Sequence, residues 1–334
     1  MVKEWNRTGL YKMSCIFVTR GFHGYSVQFS PYEANRLACA CSQHYGIAGC
    51  GALFILDICK QQQQGGMQLF RKLDWQEGLF DCCWSETSPS IIASSSADGT
   101  IQLWDIYTQQ QVPVAVFQEH LKEVYSIDWC TIRGNNKLLS GSWDKTIKMW
   151  DMNNIQNSSI ATFVGHQNTV YCVKWSPHIS DTFASTSGDE TIRIWNSNTP
   201  NPVQVIPGGS GEILTCDWTK YDQNILISGS TNNQIRVWDL RNTQQPIHIL
   251  NGHQYAVRRL KCSPHNQSVL ASVSYDMTVR TWDYVKSDRP QETIQHHTEF
   301  VVGLDFNLHQ PSEIADCSWD ERINAYSPVS LRHS

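Results

Sequence analysis

The sequence of 334 residues lacks several features that would assign it to a common functional class. No stretch approaches the roughly 18 consecutive apolar residues that a membrane-spanning helix needs, and no secretory leader with a cleavage site is recognisable at the N-terminus. Lys and Arg total 26 against 31 for Asp and Glu, so the net charge is −5. Without a basic excess we expect neither a nucleic-acid partner nor direct membrane insertion, and we expect the protein in the cytoplasm.

Motifs for metals, cofactors and catalysis are also missing. The closest cysteine pairs, Cys39 with Cys41 and Cys82 with Cys83, lack the two-residue spacing of zinc knuckles. Most of the 12 cysteines stand in apolar runs, which favours reduced, buried thiols over disulfides. No acid–base pair or phosphate loop lies outside the repeat described below. We therefore expect no metal, no cofactor and no enzymatic activity.

What the sequence has is a recurrent Trp-Asp or Trp-Asn ending. Its tryptophans are spaced by 46, 45, 43 and 44 residues, and this period is typical of a four-stranded propeller blade. Stepping back 48 residues from Trp104 and forward 44 from Trp282 adds two weaker units, which makes seven. The prediction is a single all-β, seven-bladed β-propeller over residues 1–334. Its blades should end near Asp57, Asp105, Asp151, Asn196, Asp239, Asp283 and Ser327.

Three further residue types recur in register with the tryptophans. An Asp or Asn stands six residues before each Trp, a Ser stands four residues before that position, and a His opens units three, four, six and seven. Such sets resemble hydrolase triads, but their repetition favours a structural hydrogen-bond network. This network is expected at His120, Ser140, Asp144 and Trp150, and at His166, Ser185, Asp189 and Trp195.

The N-terminal segment is expected to close the ring. Phe17 stands three residues before the opening position of its unit, as Phe117 and Phe163 do in theirs. We therefore predict that this segment adds the outer strand to the last blade, which removes the open edge between the first and last units.

One face of such a propeller is built from the loops between blades and from the turns that hold the recurrent Asp. The side chains expected there are His23, Tyr25, Gly78, Phe80, Glu123, Tyr125, Trp143, Thr169, Tyr171, Glu212, Leu214, Thr231, Ala256, Arg258, Tyr275, Phe300, Val302 and Trp319, with Glu77 and Glu299 one residue outside. Eight of these 18 are aromatic, which is typical of an interface, although aromatic rings can equally plug a central channel. Because we assign no packing role to the glutamates, the face favours a ligand with positive charge and an apolar stripe.

Two other segments are irregular. The glutamine runs 61–64 and 109–111 are expected as loop insertions on the opposite face. Residues 43–51 replace the Ser-x-Asp turn of the first unit, and their glycines indicate an unusual backbone.

These irregular units resemble one family, the cytosolic receptors for the type-2 peroxisomal targeting signal. The resemblance runs from about His23 to Pro328, and its most specific parts are His23-Gly24-Tyr25, Gln43-His44-Tyr45-Gly46-Ile47-Ala48-Gly49, Gly78-Leu79-Phe80-Asp81, Glu123-Val124-Tyr125 and Ser318-Trp319-Asp320. Generic repeats of this kind do not share those segments.

The resemblance implies a receptor that binds the N-terminal signal of cargo proteins, a helical segment with Arg, apolar residues and His or Gln along one face. It implies a co-receptor (a long type-1 receptor or a fungal-type co-receptor), the peroxisomal docking complex, and shuttling between cytoplasm and peroxisome matrix. The side chains implied to bind the signal are Tyr25, Glu77, Phe80, Glu123, Tyr125, Trp143, Tyr171, Glu212, Arg258, Tyr275, Phe300 and Trp319.

A second hypothesis concerns Trp238-Asp239-Leu240-Arg241. This segment resembles the Trp-Asp-x-Arg box with which some propellers dock to cullin-type ubiquitin ligases as substrate adaptors. The same Asp and Arg could instead brace the loop between strands.

Overall fold

The computed structural model describes residues 12–59, 66–156 and 158–332, and it confirms the all-β propeller predicted from the repeat. Seven four-stranded antiparallel sheets surround a central channel. Two short 3-10 helices, His44–Gly46 and Val329–Leu331, are the only helices in the described ranges. Neither has the length or apolar character needed to cross a membrane.

Each of the first three blades uses four consecutive strands, counted outwards from the channel. Blade 1 contains β2 (His23–Phe29), β3 (Arg36–Ser42), β4 (Gly51–Cys59) and β5 (Gly66–Trp75). Blade 2 contains β6 (Leu79–Trp84), β7 (Ile91–Ser96), β8 (Thr100–Asp105) and β9 (Ala115–Gln118). Blade 3 contains β10 (Val124–Trp129), β11 (Lys137–Ser142), β12 (Thr146–Asp151) and β13 (Ala161–Val164).

Blades 4 to 6 repeat this order, and blade 7 departs from it. Blade 4 contains β14 (Val170–Trp175), β15 (Thr182–Ser187), β16 (Thr191–Asn196) and β17 (Pro202–Pro207). Blade 5 contains β18 (Ile213–Trp218), β19 (Ile225–Ser230), β20 (Ile235–Asp239) and β21 (His248–Leu250). Blade 6 contains β22 (Val257–Cys262), β23 (Val269–Ser274), β24 (Val279–Asp283) and β25 (Glu292–Ile294). Blade 7 contains β26 (Val301–Phe306), β27 (Ile314–Ser318) and β28 (Arg322–Ser327), with β1 (Lys12–Val18) outermost.

The position of β1 confirms the predicted closure of the ring by the N-terminal segment. Its residues pair antiparallel with β28, from Lys12 opposite Ser327 to Val18 opposite Arg322. The buried Cys15 and the partly buried Phe17 pack into the cluster between blades 7 and 1. The last blade is therefore completed by the first strand of the chain.

The hydrophobic core consists of seven clusters, one between each pair of neighbouring blades. The central strands read as continuous runs of apolar and small residues because both of their faces are covered. Ten of the cysteines, including Cys39, Cys41 and Cys172, are buried, and all 12 are free thiols. This arrangement matches the expected reduced thiols.

The recurrent polar residues form a hydrogen-bond network in each of blades 3, 4 and 6. In blade 4, His166 Nδ1 lies 2.9 Å from Asp189 Oδ2 and its Nε2 lies 2.7 Å from Ser185 Oγ. The indole of Trp195 donates to the same Ser185 Oγ at 2.8 Å. Blade 3 has the same bonds among His120, Ser140, Asp144 and Trp150. In both blades the indole therefore contacts the serine and not the aspartate.

Blades 2 and 5 lack the histidine and fill its place differently. In blade 2 the Trp75 indole donates to Asp98 at 3.0 Å. In blade 5 a Cβ at Gly209 would overlap the guanidinium of Arg236, which donates to Gly208 O at 2.6 Å. Position 209 must therefore be a glycine, because the Arg236 guanidinium occupies the space that a Cβ would need.

A buried ion pair crosses the channel between blades 2 and 6. Arg259 Nη1 lies 3.0 Å from Asp81 Oδ1 and also donates to Ser26 Oγ of blade 1. The backbone N–H of Ile127 in blade 3 donates to the other Asp81 oxygen. Although burial alone would raise it, the charge of Arg259 holds the pKa of Asp81 below its usual range. These contacts fix four blades around one carboxylate.

Candidate ligand-binding face

The end of the channel that carries the Asp turns is closed by a continuous cluster of aromatic rings. Neighbouring centroids lie 5.7 Å apart for Trp143 and Tyr125, 5.2 Å for Tyr125 and Phe80, and 5.0 Å for Phe80 and Tyr25. The row continues through Trp319 to Phe300 and Tyr275 on the other side. Burial raises the pKa of Tyr275 to about 12, so its phenol is neutral at physiological pH. The Tyr275 side chain therefore adds no charge to this row of rings.

The irregular segment 43–51 lies over part of this row of rings. Its backbone at His44 and Tyr45 has positive φ values of 43° and 57°, followed by Gly46 at 69°. A Cβ at Gly46 would come within 2.7 Å of Phe80 Cε1 and 2.8 Å of the Tyr25 hydroxyl. That hydroxyl donates to Tyr45 O at 2.6 Å. Glycine is needed at position 46 because the segment presses directly on the two rings.

Several residues expected on the surface are consequently buried. Tyr25 and Phe80 expose 3% and 5% of their area, and Leu214 and Val302 are also buried. Arg258 exposes 3% and places its guanidinium 4.5 Å from the centre of the Tyr125 ring. The expectation that these five side chains form an accessible surface is wrong. They plug the channel beneath the face, as the alternative interpretation of the aromatic residues held.

On this face, exposed apolar side chains lie on blades 1 to 3, and Tyr255 of blade 6 is a further exposed ring. Ile47 exposes 87% of its area, Leu121 exposes 90% and Trp143 exposes 36%. We call Ile47, Glu77, Leu121, Glu123 and Trp143 the blade 1–3 sector. The backbone joins two of its members, since Trp143 N donates to Glu123 O at 3.0 Å.

The acids of the face differ in their surroundings. Glu77 is exposed and Glu123 is half-buried, so the expectation of full exposure fails for Glu123. Among the described residues neither carboxylate has a hydrogen bond or an ion pair. Glu212, by contrast, accepts a hydrogen bond from Tyr171 at 2.8 Å, which contradicts its assignment as an acid without a packing role. Within the described part of the chain the carboxylate of the half-buried Glu299 has no such partner either, so Glu77, Glu123 and Glu299 are the predicted glutamates available to a cationic ligand.

Sequence reasoning missed Tyr45, Ile47 and Leu121 as exposed members of this face. Leu121 follows the opening His120 of its blade, where the blades with His166, His253 and His297 have Gln167, Gln254 and Thr298. An apolar residue at a position that is otherwise polar was the signal that could have identified it. Ile47 lies in the segment already recognised as irregular.

The opposite end of the channel opens into a cavity of about 410 Å³. Its wall carries three ion pairs: Lys174 with Asp128, Lys220 with Asp217, and Lys261 with Asp305. Most charges at this end are therefore paired, unlike those of the blade 1–3 sector. The glutamine run 109–111 lies in a loop at this end, and the run 61–64 falls outside the described residues.

Arg241, the residue of the adaptor hypothesis, is exposed but bonded to its own blade. Its Nη2 lies 2.6 Å from Asp239 Oδ2, and its Nε donates to the same carboxylate. This geometry is the loop-bracing contact considered from the sequence.

Comparison with known proteins agrees with the repeat and its polar network. The family described as WD domain, G-beta repeat matches residues 68–105, 111–151, 157–196, 200–239 and 244–283, which is more than half of the chain. The chain belongs to the WD-repeat family. The two WD-repeat blades outside these matches are blades 1 and 7, whose turns or polar networks depart furthest from the pattern.

Similar proteins carry names that agree with the resemblance drawn from the irregular WD-repeat blades. The chain is 51% identical over 121 residues to the mouse "Peroxisomal targeting signal 2 receptor", a match that covers 36% of each chain. It is 31% identical over 249 residues to the protein of that name from Saccharomyces cerevisiae, covering 66% of this chain and 65% of the relative. It is 40% identical over 120 residues to "Peroxisome biogenesis protein 7" of Arabidopsis thaliana, covering 36% and 37%. The matched part of this chain thus spans about a third of the mouse relative and just under two thirds of the yeast one.

Proposed function

We propose that this protein is a cytosolic import receptor that binds the N-terminal type-2 peroxisomal targeting signal of cargo proteins. With a co-receptor it delivers them to the peroxisomal docking complex and the matrix. The name shared by the similar proteins supports this role. The observation that carries it here is the pairing of free carboxylates with exposed apolar side chains in the blade 1–3 sector.

The sector fits the chemistry of such a signal. A helical segment with an arginine and an apolar stripe would place its guanidinium against Glu77 or Glu123, and its stripe against Leu121, Trp143 and Ile47. The aromatic rings that close the channel beneath the sector pack on one another and on segment 43–51. These side chains are therefore already ordered, and ligand binding costs little of their conformational entropy. Binding, and not catalysis, is the activity that this surface supports.

The test is direct binding of a fluorescent signal peptide to the purified protein. A matched peptide with Glu in place of its arginine should bind far more weakly, because the carboxylates would then repel it. Pull-down from lysate with the signal fused to a reporter should recover the co-receptor together with this protein. Equal binding of both peptides would contradict the proposed function.

A further inference from the structure

The polar network of blade 7 differs from those of the regular blades at three positions together. Asp316 stands where blades 3, 4 and 6 have a serine, and Tyr326 stands where they have the tryptophan. The Tyr326 hydroxyl donates to Asp316 Oδ2 at 2.7 Å. A second histidine, His296, places its Nε2 3.0 Å from the same oxygen.

In the regular blades the histidine is satisfied as a neutral ring. In blade 6, His253 Nδ1 lies 2.8 Å from Asp276, to which it donates its proton, and its Nε2 lies 2.7 Å from Ser272 Oγ. The serine can donate its hydroxyl proton to that nitrogen while it accepts the Trp282 indole N–H. No extra cation is required.

Blade 7 differs from the regular blades, because its histidine lies between two carboxylates. His297 Nδ1 is 2.8 Å from Asp320 Oδ2, and its Nε2 is 2.8 Å from Asp316 Oδ1. The side chains of His297 and Asp316 are fully buried, and that of Asp320 is 4% exposed. If Nδ1 donates to Asp320, the lone pair of Nε2 faces a negative oxygen. Asn324 Nδ2 lies 3.0 Å from this Nε2 and 3.1 Å from Asp316 Oδ1 and can donate to both, so the Nε2 lone pair is open either to this amide or to a metal ion.

We propose that blade 7 contains a binding site for a divalent transition-metal ion of the zinc class, with His296 Nε2, His297 Nε2 and Asp316 as ligands. Among the described residues these donor atoms form a group in which all lie within 4.8 Å of one another. Two imidazoles and one carboxylate are a ligand set that zinc uses with a fourth, open position. The site differs from the expectation of no metal that the cysteine spacing supported.

The surroundings of these ligands resemble the outer shell of a zinc site. A zinc-bound histidine normally donates its other N–H to a carboxylate, as His297 would do to Asp320, and a ligating carboxylate is itself hydrogen-bonded, as Asp316 is by Tyr326. The doubly charged ion would balance Asp316 and Asp320, two buried carboxylates. His296 is 30% exposed and offers a path from solvent.

Binding an ion would require the side chains to adjust. Zinc holds its ligands at about 2.0–2.1 Å in a tetrahedron, which separates the donor atoms by roughly 3.3 Å. His297 Nε2 lies 2.8 Å from Asp316 Oδ1, and His296 Nε2 lies 3.0 Å from Asp316 Oδ2. All the ligand atoms lie within 4.8 Å of one another, and the partly exposed His296 is the side chain with room to rotate toward the other two.

The experiment uses the full chain and the metal alone. The protein is stripped with a chelator, dialysed, titrated with zinc chloride and then with cobalt chloride. We expect about one zinc per chain, a melting temperature that rises with zinc and falls again with chelator, and a cobalt absorption spectrum of four- or five-coordinate geometry. His296→Gln should weaken zinc binding at least tenfold and abolish the cobalt spectrum.

The matched control is His309→Gln, an exposed histidine outside the group, which should bind zinc as the wild type does. The double variant Asp316→Ser with Tyr326→Trp rebuilds the network of the regular blades and should fold without binding metal. Absence of zinc binding by the wild type would overturn the site. Equal zinc binding by wild type and His296→Gln would also overturn it.

Discussion

Charge reversal at Glu77 and Glu123 tests the proposed ligand-binding sector most directly. Glu77→Lys and Glu123→Lys should change the free energy of unfolding by no more than about 0.5 kcal/mol, because neither carboxylate has a partner among the described residues. Loss of one charge-assisted hydrogen bond to the ligand's arginine should cost about 1.5–3 kcal/mol, or roughly 10- to 100-fold in Kd. The introduced repulsion adds about 1 kcal/mol at 4 Å in water, roughly another fivefold.

The two variants should also differ from each other. Glu123 is half-buried and lies in a lower effective dielectric than the exposed Glu77, so its reversal should have the larger effect. Added salt should diminish the effect at Glu77 more than at Glu123, because exposed charges are screened first.

The assay is fluorescence anisotropy with a labelled signal peptide at low and high salt, beside thermal melting of each variant. Asp288→Lys is the matched control, since this exposed acid lies between β24 and β25 of blade 6, outside the blade 1–3 sector, and its reversal should leave binding unchanged. If both glutamate variants melt and bind like the wild type, the ligand lies elsewhere on the propeller and the assignment of the face is refuted.

Other predictions concern the scaffold. Asp189→Ala should lower the free energy of unfolding by about 1–3 kcal/mol, because it leaves His166 Nδ1 and the Gln167 N–H without their acceptor. Peptide binding below the melting transition should stay normal. Thermal melting and fluorescence anisotropy on the same sample measure the stability and the binding of this variant. Deletion of residues 1–20 removes β1 and should lower the urea midpoint, and an unchanged midpoint would contradict closure by this strand. Glu86 is exposed at the mouth of the channel cavity, where partial desolvation and the nearby Asp128 raise its pKa from 4.5 to about 7, so a small, solvent-screened part of the stability present below pH 4.5 is lost as pH rises through 7. Glu86→Gln should therefore melt higher than the wild type at pH 8 and equally at pH 4.

The candidate site was predicted in part from the sequence. Register placed Glu77, Glu123 and Trp143 on the correct face, because each stands at a fixed distance from a recurrent residue. The position of a residue in the repeat could not show which side chains other segments of the folded protein would bury. Tyr25 and Phe80 are buried by segment 43–51, which has no counterpart in the regular blades. Arg258 stands in the same register as the other predicted residues of the face, but its side chain is buried against the Tyr125 ring.

What the sequence by itself determined is the repeat and everything that follows from it. The Trp-Asp period, the serine and histidine in register and the segment around Phe17 sufficed to predict seven blades and a ring closed by the N-terminus, because the residues that recur in the regular blades make the same local hydrogen bonds in each of them. Tertiary structure decided which carboxylates stayed free. Glu212 is bound by Tyr171 of the neighbouring blade. It also decided the surroundings of His297, since the two carboxylates that flank it are 19 and 23 residues away along the chain and meet only when blade 7 is assembled.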